Sequence, residues 1–299
     1  MRQAAISESS GTGEIHSLCE KFSSNACAFD VAYESAFKTL NITLKADRIP
    51  VFTQGAVEDF VALLSCLDAE LNQGAPVSIV AYHSPHKDVF SYGGDMSMLA
   101  NVVGRTSDEI TRYGAACIDM VWNNWNLGAI HDVVTVALVT GDAFGGGFEC
   151  ALSCDHIIAS SQANIGFPEI NVGIFPGMGS VPFVARRSGM IQIRRLLSSG
   201  KSISGEEALR LGMVDQAVDA GDDAQGAVMR AFIEWRARTL ERFSAVVARL
   251  RAERRAAPVT REDIAFNVNT MLAGIAGANP EFASRMKTIV ALQTRRFRK

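Results

Sequence analysis

The sequence predicts an α/β protein with a mostly parallel sheet, followed by a C-terminal region that contains only helices. Strand-like and helix-like patterns alternate up to about residue 222, and such alternation is typical of parallel strands joined by right-handed crossovers. Beyond that point only helical periodicity is found. With 299 residues, of which 48% are hydrophobic, the chain can bury one large core and a smaller satellite region.

The first predicted elements are a strand, a helix and a second strand. Residues 40–45 alternate between apolar and polar side chains, with the two-residue period of a half-buried strand. Apolar residues then recur at helical spacing over 57–71, and Gly74 with Pro76 ends that helix. The apolar run 77–82 is the next predicted strand.

A second cycle of elements repeats this order. A helix is predicted over 110–120, with Thr106 or Ser107 as its N-terminal cap. The run 133–139 is almost entirely apolar and rich in β-branched residues, as expected for a strand that is buried on both faces. Residues 156–160 form a similar but shorter run.

The last predicted strand is 213–218, and helices follow it to the C-terminus. Three helix starts are predicted from capping patterns, at Ser204 with Glu207, at Thr260 with Asp263 after Pro258, and at Asn279 with Pro280 and Glu281. The chain is predicted to have three parts. Residues 1–30 form an N-terminal extension, residues 31–221 form a core with the functional site, and residues 222–299 form a helical region for oligomerisation and pocket closure.

Charge and composition exclude several classes of protein. The net charge is −3 and the pI is near 6.0, whereas nucleic-acid binders usually cluster an excess of Lys and Arg. Residues 1–13 lack an apolar signal segment, and no uninterrupted apolar run reaches about 18 residues, so we expect a cytoplasmic protein without a membrane span.

The six cysteines are scattered and expected to be reduced. Cys150, Cys154 and His156 lack a second ligand pair at zinc-like spacing, so neither a metal nor another cofactor is expected.

The most informative stretch begins where the 133–139 strand ends. Three consecutive glycines, Gly145, Gly146 and Gly147, let the backbone turn sharply into a helix and approach a ligand closely. The free N–H groups at such a helix start suit a developing oxyanion. A phosphate cradle is disfavoured because neither the Walker A pattern nor the dinucleotide-binding pattern is present. A tight structural turn is the commoner explanation of three glycines taken alone.

Two glutamates follow this turn in apolar surroundings, 20 residues apart (149 to 169). Glu149 has Phe148 and Cys150 as neighbours, and Glu169 follows Phe167. A carboxyl group in such company should have a raised pKa, suitable for proton transfer near neutral pH. For either residue alone, a helix-start or solvated-turn glutamate is an equally good interpretation. Together they predict an acid/base pair.

These residues resemble the crotonase (enoyl-CoA hydratase/isomerase) superfamily over about 40–218. The resemblance implies the crotonase (ClpP/crotonase-like) fold, a spiral core of repeated β-β-α units with a C-terminal helical region. It also implies that the amides of Gly94 and Gly146 form an oxyanion hole, with Gly93, Gly145 and Gly147 beside the substrate. Enoyl-CoA hydratases carry two glutamates at this spacing, so the pair implies addition or removal of water; which one is the base stays open.

Within the superfamily the chain most resembles the diffusible signal factor synthases. The resemblance lies in the runs GGGFE, ALSC, PE and FPGMG and in Gln293–Arg296, whereas ordinary hydratases usually read PGxGGTQRL after the second glutamate. It implies dehydration of a medium-length 3-hydroxyacyl chain on acyl carrier protein to the cis-2-enoyl thioester, then hydrolysis to the free acid signal. The alternatives are an enoyl-CoA hydratase acting on trans-2-enoyl-CoA and a non-catalytic acyl-binding protein.

Other residues have weaker claims on the substrate. Met178 and Phe167 are candidates to line the acyl pocket, although a core role suits Met178 equally well. Trp122 and Trp125 end a predicted helix and are assigned to core packing rather than pocket closure. In the family, a tryptophan from the C-terminal helices lines the acyl pocket. In the corresponding region of this chain the only aromatic residue is Phe266.

Partners are expected by chemistry and by resemblance. Two basic clusters, Arg186-Arg187 and Arg194-Arg195 with Lys201, could dock an acidic carrier protein or the phosphates of coenzyme A, or could be solvated helix faces. The resemblance implies a homo-oligomer, either a trimer or a dimer of trimers. It also implies a regulatory sensor protein as a possible partner.

Overall fold

A computed structural model describes residues 13–24, 26–103, 108–278 and 280–297. Its strands are β1 Phe29–Glu34, β2 Thr39–Leu44, β3 Ile79–His83, β4 Val89–Ser91, β5 Val134–Val139, β6 Asp142–Phe144, β7 His156–Ser160, β8 Asn164–Gly166, β9 Ile203–Ser204 and β10 Gln216–Val218. Its helices are α1 13–22, α2 Gln54–Asn72, α3 Met96–Asn101, α4 Asp108–Ile130, α5 Gly146–Leu152, α6 Ser180–Ser188, α7 Met190–Ser199, α8 Gly205–Arg210, α9 Ala224–Glu241, α10 Phe243–Ala256, α11 Arg261–Ala276 and α12 Pro280–Phe297.

The larger sheet has six strands in the order β1-β2-β3-β5-β7-β10. All neighbours from β2 to β10 pair in parallel, as the alternation of strands and helices predicts. The antiparallel edge strand β1 has no counterpart in the sequence prediction. Every residue of β5 is buried, which agrees with its apolar, β-branched composition.

A second sheet of four short strands, in the order β4-β6-β8-β9, stands beside the first. Each of β4, β6 and β8 has three residues, and these strands pair in parallel. The chain alternates between the two sheets, so β3-β4, β5-β6 and β7-β8 are each followed by a helix. These are the β-β-α units that the crotonase fold requires.

Helices cover both faces of the larger sheet. On one face α2 packs against α4, and α11 packs on α4 from the C-terminal region. On the other face α9 contributes Val228 and Phe232 to a cluster with Ile79, Val136 and Ile158. Helix α12 packs against α3, which follows the Gly93-Gly94 loop. The C-terminal helices therefore reach the part of the core that holds the candidate site.

The described residues confirm two of the predicted helix starts. Ser204 accepts a hydrogen bond from Glu207 N, and Thr260 with Asp263 forms a reciprocal capping box. The predicted caps at Thr106, Ser107 and Asn279 lie outside the described residues. No helix within the described part of the chain is long and apolar enough to cross a membrane.

A buried ion pair ties α10 to the start of β7. The Arg254 guanidinium contacts the Asp155 carboxylate, and the side chains are 8% and 2% exposed. We expect Arg254→Ala to lower the free energy of unfolding by about 3–5 kcal/mol, because it leaves a buried carboxylate without its cation. Arg249→Ala, which removes an exposed pair with Glu253 on the same helix, should cost less than about 0.5 kcal/mol. Urea denaturation of both variants checks this, and equal losses would contradict it.

Candidate active site

Three parallel strands of the smaller sheet end at the same edge, and each is followed by one part of the candidate site. The Gly93-Gly94 loop follows β4, the Gly145-Gly146 turn follows β6, and Glu169 follows β8 on a short 3₁₀ helix, Pro168–Val172. Ligands of α/β proteins bind at the carboxyl ends of parallel strands. The topology thus brings together residues that are far apart in the sequence.

Two backbone amides converge at this edge. Phe52 N donates to Gly93 O at 2.7 Å. Because the peptide group is planar and trans, the Gly94 N–H points away from Phe52. Gly146 is the first residue of α5, so its N–H has no acceptor within the helix. A carbon added at Gly146 would lie 3.4 Å from Gly94 N, so the two donors are neighbours.

The glycines around these amides are required by close packing. Gly93 has a φ of +81°, and a carbon added there would lie 2.7 Å from Gly146 N. Gly145 has a φ of +51°, and an added carbon would lie 2.2 Å from an oxygen of Glu169. At Gly147 an added carbon would lie 2.5 Å from Ser91 O. Any side chain at these positions would separate the strand ends from one another.

Glu149 lies in the first turn of α5, and it is 1% exposed. Its Oε1 accepts a hydrogen bond of 2.7 Å from Ser180 N, at the start of α6, and the Met178 amide also donates to this carboxylate. Burial, followed by repulsion from Glu169, raises the pKa of Glu149 well above its ordinary value, although the two amides oppose this shift. The carboxyl group is therefore fixed in position and ready to hold a proton.

Glu169 is 7% exposed, so the solvated-turn interpretation of this residue is wrong. Burial raises its pKa from 4.5 to about 8. Its carboxyl group lies against Gly145, at the turn into α5. Two buried carboxyl groups with raised pKa values therefore flank the pair of amides, and near neutral pH such a pair retains a proton to donate.

The raised pKa of Glu169 makes the stability of the fold depend on pH. Because the folded state holds this proton more tightly than the unfolded chain, the stabilisation is complete below about pH 4.5 and is lost as the pH rises through about 8. We expect the free energy of unfolding to fall by a few kcal/mol between about pH 5 and about pH 8, and this slope to be smaller in Glu169→Gln. Urea denaturation at both pH values checks this. An unchanged slope in the variant would contradict the shift.

Comparison with known proteins decides the family. The enoyl-CoA hydratase/isomerase family matches residues 40–281. The chain belongs to this family. The probable enoyl-CoA hydratase echA17 of Mycolicibacterium paratuberculosis is 32% identical over 217 residues, which cover 71% of this chain and 80% of that protein.

Other family relatives are longer than this chain. The fatty acid oxidation complex subunit alpha of Pseudomonas savastanoi pv. phaseolicola is 30% identical over 200 residues, or 66% of this chain. The match spans only 26% of that protein, about a quarter of its length.

Solved structures agree on the fold. An enoyl-CoA hydratase from Bacillus halodurans has a TM-score of 0.71 at 21% identity, covering 87% of this chain and 99% of that one. Pseudomonas aeruginosa DspI has a TM-score of 0.63 at 22% identity, covering 77% and 81%. At such identities these likenesses establish the crotonase fold alone.

Two cavities adjoin the site of this hydratase/isomerase-family chain. The larger, of about 570 Å³, opens beside Asp95 and Met96, directly after Gly94. It is lined on its other side by residues of the loop after β2 and by Val290 and Thr294 of α12. The smaller, of about 450 Å³, lies beside Val181 and is lined by Phe175, Pro182 and Phe266 among others. Phe266 is 71% exposed.

The weaker candidates are the two proposed pocket residues, Met178 and Phe167, and the two tryptophans of α4. Met178 is buried at the site, where its sulfur would lie 2.7 Å from a carbon added at Gly146. Phe167 is fully buried and packs on Phe148, with ring centroids 5.6 Å apart. Trp125 of α4 is buried and packs on Phe183 of α6, in agreement with its assignment to the core. The helix continues past both tryptophans to Ile130, so the prediction that they end it is wrong.

The two basic clusters differ in exposure. The Arg187 side chain is 7% exposed, and it pairs with Asp215 at 3.0 Å and donates to Cys154 O at 2.8 Å. Arg186 lies over the ring of Trp125, at 4.7 Å from its centroid. Arg187 is therefore neither a docking residue nor part of a solvated face. The second cluster, Arg194-Arg195 with Lys201, is exposed as either interpretation requires.

Sequence reasoning missed the contribution of Ser180. Its amide fixes Glu149, and its hydroxyl donates to Pro176 O at 3.0 Å, which holds the segment before α6 in shape. A backbone amide has no signature in residue type. The one available signal is Gly179, whose φ of +108° marks the turn into α6.

Proposed function

We propose that this protein is a diffusible signal factor synthase, which makes a cis-2-unsaturated fatty acid used in quorum sensing. It dehydrates a medium-chain 3-hydroxyacyl thioester on acyl carrier protein to the cis-2-enoyl thioester, and then hydrolyses that thioester. The observation that carries the proposal is the pair of buried glutamates beside the amides of Gly94 and Gly146. Because both carboxyl groups have raised pKa values, proton transfer near neutral pH is within their reach.

In the first step, the thioester oxygen accepts hydrogen bonds from Gly94 N and Gly146 N. These donors stabilise the enolate that forms when a glutamate carboxylate removes the proton at C2. The other glutamate, in its protonated form, gives its proton to the hydroxyl at C3. Water leaves and the C2–C3 double bond forms. This chemistry works equally with Glu149 as the base and Glu169 as the acid, or with the roles exchanged.

In the second step, a water molecule attacks the thioester carbonyl. The same two amides then hold the oxygen of the tetrahedral intermediate, because its charge develops on the same atom as in the enolate. A glutamate carboxylate removes a proton from the attacking water. The C–S bond breaks, the thiolate of the pantetheine arm takes up the proton, and the free cis-2-enoic acid remains.

Support for the synthase branch comes from the segment Phe175–Gly179, whose sequence resembles the synthases rather than ordinary hydratases. This segment carries Met178 and leads into Ser180, whose amides both donate to Glu149. It therefore sets the position of a proposed catalytic carboxylate. A sequence difference between synthases and ordinary hydratases in this segment would therefore affect whether the site favours the cis or the trans product.

The proposal assigns the larger cavity to the carrier-bound substrate. This cavity of about 570 Å³ is lined by Asp95 and Met96, the two residues that follow Gly94, and would admit the pantetheine arm. The same proposal includes a homo-trimer, or a dimer of trimers, built through the C-terminal helices. It also includes a regulatory sensor protein as a partner. The exposed basic cluster of Arg194, Arg195 and Lys201 would suit the acidic surface of a carrier protein.

An enoyl-CoA hydratase is the second candidate function. It is favoured by the 32% identity to the probable enoyl-CoA hydratase echA17 of Mycolicibacterium paratuberculosis. The same two glutamates and the same amides would catalyse addition of water to trans-2-enoyl-CoA. An acyl-binding protein without turnover fits less well, because two carboxyl groups buried without a cation have no structural benefit.

Incubation of the purified protein with 3-hydroxydecanoyl thioesters of acyl carrier protein and of coenzyme A separates these functions. Product analysis by mass spectrometry and gas chromatography should give free cis-2-decenoic acid from the carrier-bound substrate. An equilibrium of trans-2-decenoyl-CoA with its hydrate, without free acid, would identify the hydratase instead. No conversion of either thioester would leave only the binding function.

A further inference from the structure

A buried tyrosine lies next to the Gly93-Gly94 loop. Tyr113, on α4, is 1% exposed, and its Oη donates to Phe52 O at 2.8 Å. Burial raises the pKa of this hydroxyl well above its ordinary value, and the nearby backbone amide of Asp95 opposes that shift. A carbon added at Gly94 would lie 3.3 Å from the hydroxyl oxygen. The hydroxyl group of Tyr113 therefore holds Phe52, the residue whose N–H binds Gly93 O, and lies next to Gly94.

These contacts fix the orientation of one peptide group. Phe52 N donates to Gly93 O at 2.7 Å, and the tyrosine hydroxyl donates to Phe52 O at 2.8 Å, so Tyr113 holds the residue that holds the Gly93-Gly94 peptide group. Gly94 has no side chain, and it follows Gly93, which has a φ of +81°. Without such bonds, two glycines in succession would leave this amide free to rotate. The Tyr113 hydroxyl therefore restricts the rotation of the Gly94 amide, which the two glycines of the loop do not restrict themselves.

We propose that Tyr113 is a positioning residue that holds the Gly94 N–H in the direction required for oxyanion stabilisation. This inference rests on the proposed function, since it assigns the hydroxyl a role through the Gly94 amide. It adds a residue that the glycine and glutamate motifs do not contain. Donors are effective only when they are already oriented towards the charge that develops, so loss of the hydroxyl should reduce catalysis more than substrate binding.

Tyr113→Phe tests the proposal, and Tyr33→Phe is the matched control. Tyr33 Oη donates to a backbone carbonyl, Pro76 O, at 2.6 Å, on β1 and away from the site. We expect Tyr113→Phe to lower kcat about tenfold with little change in KM, less than loss of a donor itself, because the Gly94 amide is loosened and not removed. Tyr33→Phe should keep the wild-type kcat.

Infrared spectroscopy gives a readout that a purely structural role would not move. The probe is the ketone analogue of decanoyl-pantetheine, with CH2 in place of the thioester sulfur and carbon-13 at the carbonyl, which can be neither dehydrated nor hydrolysed. Polarisation by the two amides should lower its carbonyl stretching frequency in the wild type and in Tyr33→Phe, and part of that shift should be lost in Tyr113→Phe. If the wild type shows no shift, the oxyanion hole itself is wrong. If wild type and Tyr113→Phe show the same shift and kcat, only the role of Tyr113 is wrong.

A second substitution keeps the test decisive if Tyr113→Phe does not fold. Incorporation of 4-aminophenylalanine at position 113 retains an N–H donor to Phe52 O with a similar ring. It should keep most of the wild-type kcat and frequency shift, whereas 4-methylphenylalanine, which is of similar size but cannot donate, should lose both to the same degree as Tyr113→Phe. Equal behaviour of the two analogues would overturn the proposal.

Discussion

Glu149→Gln and Glu169→Gln should each lower kcat for dehydration by about 10²- to 10⁴-fold, because each removes one member of the acid/base pair. The amide of glutamine keeps the size of the side chain but neither takes nor gives a proton in this range. Neither change should destabilise the fold, since each removes a carboxyl group whose burial raises its pKa. Steady-state kinetics on the carrier-bound 3-hydroxyacyl substrate measures the loss.

The exposed Glu206 is the matched control for these variants. Glu206→Gln makes the same chemical change in the first turn of α8, away from the site, and should leave kcat unchanged. Thermal unfolding of all three variants separates loss of catalysis from loss of structure. If Glu149→Gln and Glu169→Gln, correctly folded, turned over at the wild-type rate, the acid/base assignment would be wrong.

Gly146→Ala should lower kcat by about 10²- to 10³-fold, as much as the loss of one oxyanion donor, because the variant keeps the N–H but its methyl group obstructs access to it. The added carbon would lie 3.4 Å from Gly94 N and 2.7 Å from the sulfur of Met178. Met178 is flexible and can move, so the protein should still fold, but the methyl group would occupy the space between the two amides where the thioester oxygen binds. The expected loss is therefore in catalysis more than in stability.

Gly55→Ala makes the same substitution where no heavy atom would lie within 4 Å of the added carbon. This residue is in α2, outside the site, and alanine favours a helix over glycine. The control variant should keep wild-type kinetics with equal or greater stability. A folded Gly146→Ala variant whose kcat differed from wild type by less than about twofold would contradict the proposed oxyanion hole.

Much of the fold could be predicted from periodicity. The buried strand β5 and the helix α2 have patterns long enough to be recognised, and their predicted positions agree with the structure within a few residues. The strands of the smaller sheet could not be predicted in this way. Val89–Ser91 and Asp142–Phe144 have three residues each, too few to establish a two-residue period, and their pairing joins distant parts of the chain.

The candidate site was predictable where its chemistry is local. The apolar neighbours of Glu149 indicated a raised pKa, and the burial of its carboxyl group agrees with that prediction. The contacts that position it were not predictable, since Ser180 N reaches it from 31 residues away. Arg187 shows the same limit. Its neighbours suggested an exposed cationic cluster, whereas the Arg187 side chain is only 7% exposed and pairs with Asp215, 28 residues away.

Hydrogen exchange at C2 of a saturated acyl thioester tests the central claim most directly. Decanoyl-pantetheine in deuterium oxide cannot lose water, and deuterium at C2 is counted in the remaining thioester and in any free acid released by hydrolysis, so exchange reports proton removal by a glutamate and enolate stabilisation at Gly94 and Gly146. Wild-type protein should catalyse deuterium incorporation at C2, while the Gly146→Ala variant and the double variant Glu149→Gln with Glu169→Gln should not. Exchange by wild type at the uncatalysed rate, or undiminished exchange by the folded double variant, would contradict the account.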